Sequence, residues 1–352
     1  MSPKAPAYVG RVAQPQDPKR PPFKSPLMAT ESAVHSSMMP TAQILSDFKG
    51  HHVLSVKQFN RNFLHQLFNL AHDLRVLSSR EPVDILRGMS MASIFYEPST
   101  RTSCSFTAAM QRLGGTVVAV QDNTNSSVAK GETLEDFVRV MERYADVVVL
   151  RHPEQGSVQR ASVMMSKPII NAGDGAGEHP TQALLDVYTI REEIGTVNGL
   201  TIALVGDLKH GRTVHSLAEL VTLYDVKLRL VAPKGLEMPR QIVDLIVSRR
   251  INVSEHESVD DVIGDADVVY VTRVQKERFE DPGTYERVKS SYRITPETLL
   301  KAKPNMILMH PLPRTGEISE DCDLDPRSVY FRQAEHGMYV RMALLAAVLG
   351  KA

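Results

Sequence analysis

Short apolar runs rich in β-branched residues alternate along most of the chain with segments whose apolar residues recur at helical spacing. From about residue 43 onward this alternation predicts α/β units with parallel sheets. The predicted strands cover residues 91–96, 116–120, 147–150, 168–170, 201–205, 227–231, 268–272 and 306–309. The predicted helices cover residues 103–113, 133–144, 158–166, 181–194 and 339–349.

The two series of strands predict two domains, each a parallel sheet flanked by helices. The boundary lies near the long helix that joins the series, so the domains are assigned to residues 44–180 and 181–335. Residues 336–352 contain a helix that is apolar around most of its circumference, and we expect it to be buried and to pack back on the first domain. With 352 residues and 42% hydrophobic content, the chain can bury two such cores.

Residues 1–43 differ from the rest of the chain. The first 40 residues hold 8 of the 21 prolines and five Lys or Arg against two acids, with almost no periodic apolar pattern. Such a stretch cannot bury enough surface to offset its ordering entropy, so we interpret it as a flexible linker or disordered tail. Its composition fits the cut end of a longer polypeptide.

The balance of charges argues against large polyanionic binding partners. Basic and acidic residues number 41 each, so the chain has no global field to hold a nucleic acid or a membrane surface, and an anion must be bound locally by placed arginines. The two cysteines, Cys104 and Cys322, lie far apart and fit no metal-ligand spacing. Few cysteines, no apolar run of about 20 residues and no signal peptide predict a soluble, cytoplasmic protein.

The junction after the first predicted strand is typical of an anion site. Residues 97–102 read Glu-Pro-Ser-Thr-Arg-Thr, with Pro98 at the strand end and Ser99 where it can cap the following helix. The first N–H groups of a helix have no intrahelical partner and carry the positive end of the dipole. Two hydroxyls and the Arg101 guanidinium lie beside them, so a phosphate can bind here without a metal. Taken alone, the motif is also typical of an ordinary capped turn.

Polar residues recur where the predicted strands end, and most are cations or neutral donors. In open parallel sheets, ligands bind outside the carboxyl ends of the strands, so these residues are site candidates. They are Arg101, Arg151, His179, Gln182, Arg212, Arg273, Gln275 and Arg314. A single surface arginine is more often a solvated ion-pair partner, but their recurrence indicates a cleft for small substrates that carry phosphate and carboxylates.

The motifs of several other chemistries are missing from the sequence. It contains no Gly-x-Ser-x-Gly, no Walker-type loop, no His-Glu-x-x-His and no cysteine cluster. Residues 205–211 follow a strand but lack the Gly-x-Gly-x-x-Gly spacing of a dinucleotide site. We therefore expect a reaction without covalent enzyme intermediate, metal or organic cofactor.

Three motifs give the chain a family resemblance. Residues 95–102 (Phe-Tyr-Glu-Pro-Ser-Thr-Arg-Thr), 179–182 (His-Pro-Thr-Gln) and 310–313 (His-Pro-Leu-Pro), with Arg212 and Arg273, resemble the carbamoyltransferases over roughly residues 52–349. Residues 272–278 (Thr-Arg-Val-Gln-Lys-Glu-Arg) resemble the aspartate branch, aspartate transcarbamoylase. The ornithine branch carries His-Cys-Leu-Pro at the last motif. The whole stretch, with its proline-rich leader, is similar to the C-terminal transcarbamoylase domain of the multifunctional pyrimidine-synthesis protein of fungi and animals.

This resemblance implies the carbamoyltransferase fold and transfer of the carbamoyl group of carbamoyl phosphate to the α-amine of L-aspartate in pyrimidine biosynthesis. It implies that the first domain binds carbamoyl phosphate and the second binds aspartate. The residues implied to bind carbamoyl phosphate are Ser99, Thr100, Arg101, Thr102, Ser126, Lys130, Arg151, His179, Gln182 and Leu312. Those implied to bind aspartate are Lys130, Arg212, Arg273, Gln275 and Leu312, and those implied to close the domains are Glu97 and Arg278.

Direct roles in the reaction are implied for Arg101, Thr102, Lys130 and His179. Arg101, Thr102 and His179 would donate hydrogen bonds to the carbonyl oxygen, while the departing phosphate takes the proton of the amine. Another role for His179, as general base, stays open because imidazole titrates close to physiological pH. A purely structural interpretation is a histidine that caps the helix before Pro180.

The polar segment 123–132 joins a strand to a helix and by itself is typical of a flexible surface loop. The resemblance implies instead that it reaches into the site of a neighbouring subunit, bringing Lys130 and a serine. That serine is Ser126 or Ser127. A homotrimer with three shared sites follows from this interpretation.

Two other functions compete with this one. A carbamoyltransferase for ornithine fits less well, because a cationic side chain would meet Arg273, Gln275 and Arg278 without a matched acidic pair. A pseudoenzyme that supplies only a trimeric platform gains nothing from keeping the cationic residues in place.

Overall fold

The computed structural model describes residue 45 and residues 47–120, 131–273 and 292–352. The predicted tail, residues 1–43, lies outside these residues, and so do the predicted site residues Ser126, Lys130, Gln275 and Arg278. No helix in the described ranges is long and apolar enough to cross a membrane. In the same ranges, no three His, Cys, Asp or Glu side chains are grouped as metal ligands would be.

Four parallel strands form the first sheet, in the spatial order β2-β1-β3-β4. They are β1 (Ser90–Phe95), β2 (Thr116–Val120), β3 (Val147–His152) and β4 (Ile169–Asp174). The helices around them are α1 (Arg61–Ser78), α2 (Thr100–Arg112), α3 (Leu134–Tyr144) and α4 (Ser157–Val163). Strands β1, β3 and β4 are almost wholly buried because they are covered on both faces, whereas the edge strand β2 is largely exposed.

Five parallel strands form the second sheet, in the order β7-β6-β5-β8-β9. They are β5 (Leu200–Val205), β6 (Val226–Val231), β7 (Asn252–His256), β8 (Val268–Val271) and β9 (Ile307–Met309). The remaining helices are α5 (Pro180–Ile194), α6 (Arg212–Val221), α7 (Arg240–Ser248), α8 (Pro296–Leu300) and α9 (Tyr330–Val348). The predicted α/β fold with two parallel sheets is confirmed.

Helix α5 connects the two sheets and is buried along residues 180–190. Its apolar side chains belong to one hydrophobic cluster that also contains residues of both halves, such as Phe68 of α1 and Leu204 of β5. The rings of Phe68 and Tyr188 lie 5.6 Å apart, measured between centroids. The two halves therefore share part of one core, and side chains carried by α5 have a fixed position relative to both sheets.

The last helix, α9, packs against α1, α2 and α5, although it follows the second sheet in the chain. Residues 339–348 are buried on all sides, as their uniformly apolar pattern predicts. The helix begins at Tyr330, nine residues before its predicted start, because polar residues such as Arg332 and Gln333 interrupt the apolar pattern there. Gln333 is nevertheless buried, so a polar side chain lies inside the fold at this position.

Several elements were not predicted from the sequence. They are α1, α6, α7, α8 and the strand β7. Strand β7 is a polar edge strand, Asn-Val-Ser-Glu-His, without the apolar run that marks a buried strand. Helix α1 begins with an ordinary cap, in which the Asn60 side chain accepts from the Phe63 N–H at 2.9 Å.

Every strand pairing within both sheets is parallel. The segments that leave β1, β3 and β4 therefore emerge at one edge of the first sheet, and those that leave β5, β8 and β9 emerge at one edge of the second. These two edges hold the polar residues singled out by the sequence.

Candidate active site

A cleft of about 930 Å³ lies between the carboxyl edges of the two sheets. Eleven residues named from the sequence line it: Glu97, Ser99, Thr100, Arg101, Thr102, Arg151, His179, Gln182, Arg212, Arg273 and Leu312. Others that line it, not named from the sequence as binding residues, include His210, His310, Tyr330, Gln333 and Arg341. The four arginines that follow strands in both halves thus surround one hollow rather than separate ones.

The junction after β1 presents the start of α2 to the cleft. Ser99 occupies the cap position, but its side chain makes no capping hydrogen bond, so the expectation that this hydroxyl caps the helix is wrong. The backbone carbonyl of Ser99 instead begins the helix by accepting from the Ser103 N–H at 3.0 Å. The first-turn N–H groups at Thr100 to Thr102 have no intrahelical acceptor, and with nearby hydroxyls they form a concentrated set of donors for an anion.

Two arginines from different halves approach each other across the cleft. Arg151, at the end of β3, donates from Nη1 to the Ala172 carbonyl at 3.3 Å. Arg212, the first residue of α6, donates from Nη1 to the carbonyl of Gly175. Both guanidinium groups pass over Gly173: a Cβ built there would lie 3.0 Å from Nη1 of Arg151 and 3.2 Å from Nη2 of Arg212. Glycine is therefore needed at this position for the two cations to converge.

Glu97 is the carboxylate shared by these two cations. Its Oε2 lies 3.1 Å from Nη2 of Arg151 and 3.8 Å from Nη2 of Arg212. Burial lowers the pKa of Arg212, and the positive charge of Arg151 lowers it further. The same two causes lower the pKa of Arg101. Because guanidinium groups stay protonated in proteins, this crowding leaves the cleft with an excess of positive charge that attracts anions.

His179 lies at the N-terminal cap of α5, before Pro180, and is almost fully buried. Its side chain makes no capping hydrogen bond, so the interpretation of a purely helix-capping histidine has no support in the geometry. Burial lowers the pKa of His179 well below 6.5, and Arg212, Arg151 and Arg341 lower it further. The imidazole is therefore neutral near pH 7, which makes it a weak base and leaves it an N–H donor.

The segment after β9 is shaped by a buried hydrogen-bond chain. Nδ1 of His310 accepts from the Leu312 N–H at 2.8 Å, and its Nε2 lies 2.7 Å from Oε1 of Glu317. Because Nδ1 is an acceptor, the ring carries its proton on Nε2 and donates it to the carboxylate. These hydrogen bonds hold Leu312 at the rim of the cleft, where its backbone is left-handed with φ of 58°.

Arg314 is placed differently from the other arginines at strand ends. It is not among the described residues that line the cleft. Its guanidinium forms a two-point ion pair with Asp323, with Nη2 donating to Oδ2 at 2.6 Å, and it also donates to the Tyr330 hydroxyl at 3.0 Å. Arg314 therefore stabilises the segment before α9, and its inclusion with the anion-binding arginines is corrected.

Two family models cover most of the chain. The model for the carbamoyl-P binding domain of aspartate/ornithine carbamoyltransferase matches residues 51–192, and the model for the Asp/Orn binding domain matches residues 198–348. This chain belongs to the aspartate/ornithine carbamoyltransferase family.

Individual relatives match over nearly the same span. "Multifunctional protein pyr1-3" of Dictyostelium discoideum is 58% identical over 89% of this chain and 14% of its own length. The aspartate carbamoyltransferase catalytic subunit of Thermoplasma volcanium is 47% identical over 86% of this chain and 99% of its own length. A solved structure of Trypanosoma cruzi aspartate transcarbamoylase in complex with carbamoyl phosphate and aspartate has 43% identity and a TM-score of 0.82, and the match covers 86% of this chain and 97% of that one.

The chain therefore spans about a seventh of the multifunctional relative but almost all of a free-standing catalytic subunit. The resemblance stated from the sequence motifs is confirmed by the two family models. Sequence reasoning pointed to eleven of the described residues that line the cleft.

Sequence reasoning missed the contribution of α9 to this carbamoyltransferase cleft. Gln333 and Arg341 both reach it from that helix. Arg341 is 3% exposed, and burial lowers its pKa to about 10. The sequence indicates this contribution only by a polar residue inside an otherwise apolar helix. That signal is weak because such a residue is equally typical of a buried ion pair.

The neutrality of His179 can be tested by NMR. We expect the ring signals of His179 to show no titration between about pH 6 and pH 8, because its lowered pKa places protonation at more acid pH. Long-range nitrogen–proton spectra of histidine-labelled protein measure this, and His179→Asn assigns the signal. A titration midpoint near pH 7 would contradict the neutral-donor role and restore the general base.

Proposed function

We propose that this chain transfers the carbamoyl group of carbamoyl phosphate to the α-amine of L-aspartate, producing N-carbamoyl-L-aspartate and phosphate for pyrimidine biosynthesis. The observation that carries the proposal is the single cleft in which arginines from both sheets surround a neutral, buried histidine. Two anionic substrates repel each other, and such a cleft neutralises that repulsion while orienting them. Similarity to an aspartate transcarbamoylase solved with both substrates supports it.

The carbamoyl phosphate half of the site is assigned to the first domain, residues 44–180. The start of α2 and the Arg151 guanidinium would hold the phosphate, with donors from Ser99, Thr100, Arg101 and Thr102. Arg101, Thr102 and His179 would donate to the carbonyl oxygen as it gains negative charge in the tetrahedral intermediate. Gln182, just past this boundary on α5, would accept a hydrogen bond from the carbamoyl NH2 group. The first-turn donors of α2 support this assignment because they face the same cleft as the histidine.

The aspartate half is assigned to the second domain, residues 181–335, with residues 336–352 packed back on the first domain. Arg212 and Arg273 would pair with the two carboxylates, together with Gln275, which lies outside the described residues. The backbone carbonyl of Leu312 would accept from the amine. Planar guanidinium groups suit this task because each can bind a carboxylate at two points.

Proton transfer follows from the state of His179. With its pKa depressed by burial and by neighbouring arginines, it cannot take the proton of the amine efficiently. The departing phosphate is a base next to the reacting nitrogen and accepts the proton instead. His179 thus acts as a hydrogen-bond donor to the carbonyl oxygen throughout the reaction.

Ornithine is the second candidate for the acceptor amino acid, since the matched family includes both branches. Among the described residues that line the cleft, Glu97 is the only acid, and it is paired with Arg151. An ornithine side chain is a cation and would find no matching acid there. Aspartate, with a second carboxylate, matches the cationic lining.

The function is tested by phosphate release. Carbamoyl phosphate should yield phosphate on addition of aspartate and not of ornithine, and Arg101→Ala should lower the rate about a hundredfold, because charge-assisted hydrogen bonds contribute about 1.5 to 3 kcal/mol each. Arg229→Ala is the matched control: this arginine donates to Asn252 at 3.1 Å within the second sheet, away from the cleft, and its loss should leave the rate unchanged. Faster release with ornithine, or none with either amino acid, would exclude the proposal.

Domain closure is assigned to Glu97 and to Arg278, of which Arg278 lies outside the described residues. Glu97 lies nearer Arg151 than Arg212 in this structure. A bound phosphate would compete for Arg151 and leave the Glu97 carboxylate free to pair with Arg212 across the cleft. Closure of this kind excludes water from the reactants.

Replacing Glu97 with glutamine keeps the shape and removes the charge. We expect Glu97→Gln to lower kcat about tenfold and to raise the KM for aspartate, since closure loses its ion pair, while phosphate affinity does not fall because Arg151 is released. Steady-state kinetics and phosphate inhibition measure the three quantities. Glu154→Gln serves as control because Glu154 pairs with Arg160 at the surface at 2.7 Å. Unchanged aspartate kinetics in Glu97→Gln would remove the closure role.

The active assembly is proposed to be a homotrimer in which Lys130 and Ser126, or Ser127, enter the neighbouring site. These residues lie outside the described ones. The proposal is supported by exposed apolar residues on α3, Val140 and Tyr144, and at the end of α4, Val163 and Met164. In a trimer with shared sites, a second copy of the chain would cover these residues.

Shared sites can be tested by complementation. Lys130→Ala and Arg101→Ala subunits are each expected to have little activity, but an equal refolded mixture should recover about a quarter of wild-type activity. A site is intact when the subunit that supplies Arg101 carries Lys130→Ala and the neighbour that supplies Lys130 carries Arg101→Ala, which holds for about one site in four in a random mixture. Each variant refolded alone is the control. A mixture as inactive as its components would rule out shared sites.

We also propose that the chain is one part of a larger multifunctional polypeptide in the cytoplasm. The span of 14% of the Dictyostelium relative supports the first point. Both cysteines, exposed Cys104 and buried Cys322, are free thiols, which fits the reducing compartment.

A further inference from the structure

Asp186 is a fully buried carboxylate that does not itself line the cleft. It lies on α5, one turn beyond Gln182. Three donors from three different elements converge on it: Gln182 Nε2 on the same helix at 2.9 Å, Gln333 Nε2 on α9 at 2.7 Å, and the Tyr270 hydroxyl on β8 at 2.9 Å. Both amide groups donate to Oδ1, whereas the hydroxyl donates to Oδ2.

This arrangement sets the orientation of the Gln182 amide. Oδ1 of Asp186 accepts hydrogen bonds from both amides, so the end of the Gln182 amide that faces it is the NH2 end. The carbonyl end, Oε1, is then the end left for a ligand in the cleft that Gln182 lines. Without Asp186 the amide could rotate by half a turn and offer its NH2 end instead.

The same carboxylate is connected to the segment after β9. Gln333, whose NH2 end faces Asp186, accepts with its Oε1 from the His310 N–H at 3.0 Å. His310 in turn accepts from the Leu312 N–H at 2.8 Å. Asp186 accepts from the NH2 groups of both Gln182 and Gln333 and thus fixes the orientation of both amides.

The burial of Asp186 is costly, which argues against a purely structural role. Burial raises its pKa to about 7, although the hydrogen bonds from Gln333, Tyr270 and Gln182 and the charge of Arg341 lower it. The titratable and charged groups that face it are Tyr270 on β8 and Arg341 on α9. Burial and the carboxylate raise the pKa of Tyr270 well above 10, so this hydroxyl stays a donor. A neutral acceptor would serve packing at lower cost.

We propose that Asp186 is a positioning residue that makes the cleft selective for a carbamoyl phosphate over an acyl phosphate. This inference rests on the proposed function. A carbamoyl group has an NH2 that donates to Oε1 of Gln182, whereas the methyl group of acetyl phosphate leaves that oxygen without a partner. A buried acceptor left unpaired costs free energy, so the fixed amide discriminates between two substrates of nearly the same shape.

The test compares three ligands without the acceptor amino acid. Dissociation constants of carbamoyl phosphate, acetyl phosphate and inorganic phosphate are measured by calorimetry for the wild-type chain, Asp186→Asn and Asp186→Leu. The preference for carbamoyl over acetyl phosphate should fall about tenfold in Asp186→Leu and about threefold in Asp186→Asn, since the Gln182 amide becomes free to rotate. Inorganic phosphate, which has no group to face Gln182, should bind equally to all three.

Thr189→Val is the matched control. Thr189 is buried one turn further along α5, where its hydroxyl donates to the Leu185 carbonyl at 2.7 Å, and this substitution should leave the preference unchanged even if the melting temperature falls. Equal weakening of all three ligands in the Asp186 variants would show a structural role and overturn the proposal, as would an unchanged preference. If Asp186→Leu fails to fold, the near-isosteric Asp186→Asn decides the matter. A wild-type chain that prefers carbamoyl phosphate but transfers nothing to aspartate would contradict the proposed function and leave this inference standing.

Discussion

The site depends on repulsion between cations that the fold forces together. Arg151, on β3, and Arg212, at the start of α6, come from different halves of the fold and converge over Gly173, where a side chain would separate them. Backbone carbonyls of Ala172 and Gly175 and the Glu97 carboxylate compensate only part of this cost. The remaining positive potential favours anions. A small anion bound in the cleft therefore reduces the repulsion between these guanidinium groups.

The same potential decides what His179 can do. A histidine surrounded by guanidinium groups is harder to protonate than a solvated one, and burial acts in the same direction. The arginines that attract anions to the cleft thus also make His179 a poor base near neutral pH. Binding and proton transfer are linked through one set of charges, because any change that reduces the positive potential would weaken anion binding and raise the basicity of the imidazole.

The sequence predicted those features whose signal is local. Buried parallel strands are continuous apolar runs, and the residues that follow them reach the same edge of a sheet whatever their distance along the chain. Three kinds of feature were not predicted. The edge strand β7 and the start of α9 lack apolar periodicity. The side chain of Ser99 makes no capping hydrogen bond despite a typical cap sequence, and Arg314 pairs with Asp323.

Asp186, Gln333 and Arg341 belong to a third kind of feature that the sequence does not reveal. Asp186 and Gln333 are 147 positions apart, and their hydrogen bond exists only because α9 returns from the second sheet to pack on α5. Local patterns carry no information about such a contact. A polar residue in a buried helix is equally compatible with an ion pair, a water site or a ligand, so its partner has to be seen in three dimensions.

The burial of α5 and α9 has a consequence for motion. Both helices lie inside a core shared by the two halves, and both carry polar residues that line the cleft. A close-packed core does not deform easily, so His179 and Gln182 would keep their positions in the proposed closure of the cleft. Movement is then left to the segments that follow the strands, such as the one that carries Glu97. In the proposed reaction, the groups that would orient the carbonyl are thus held by the core, and the groups that would enclose the substrates lie outside it, as a reaction between two anions requires.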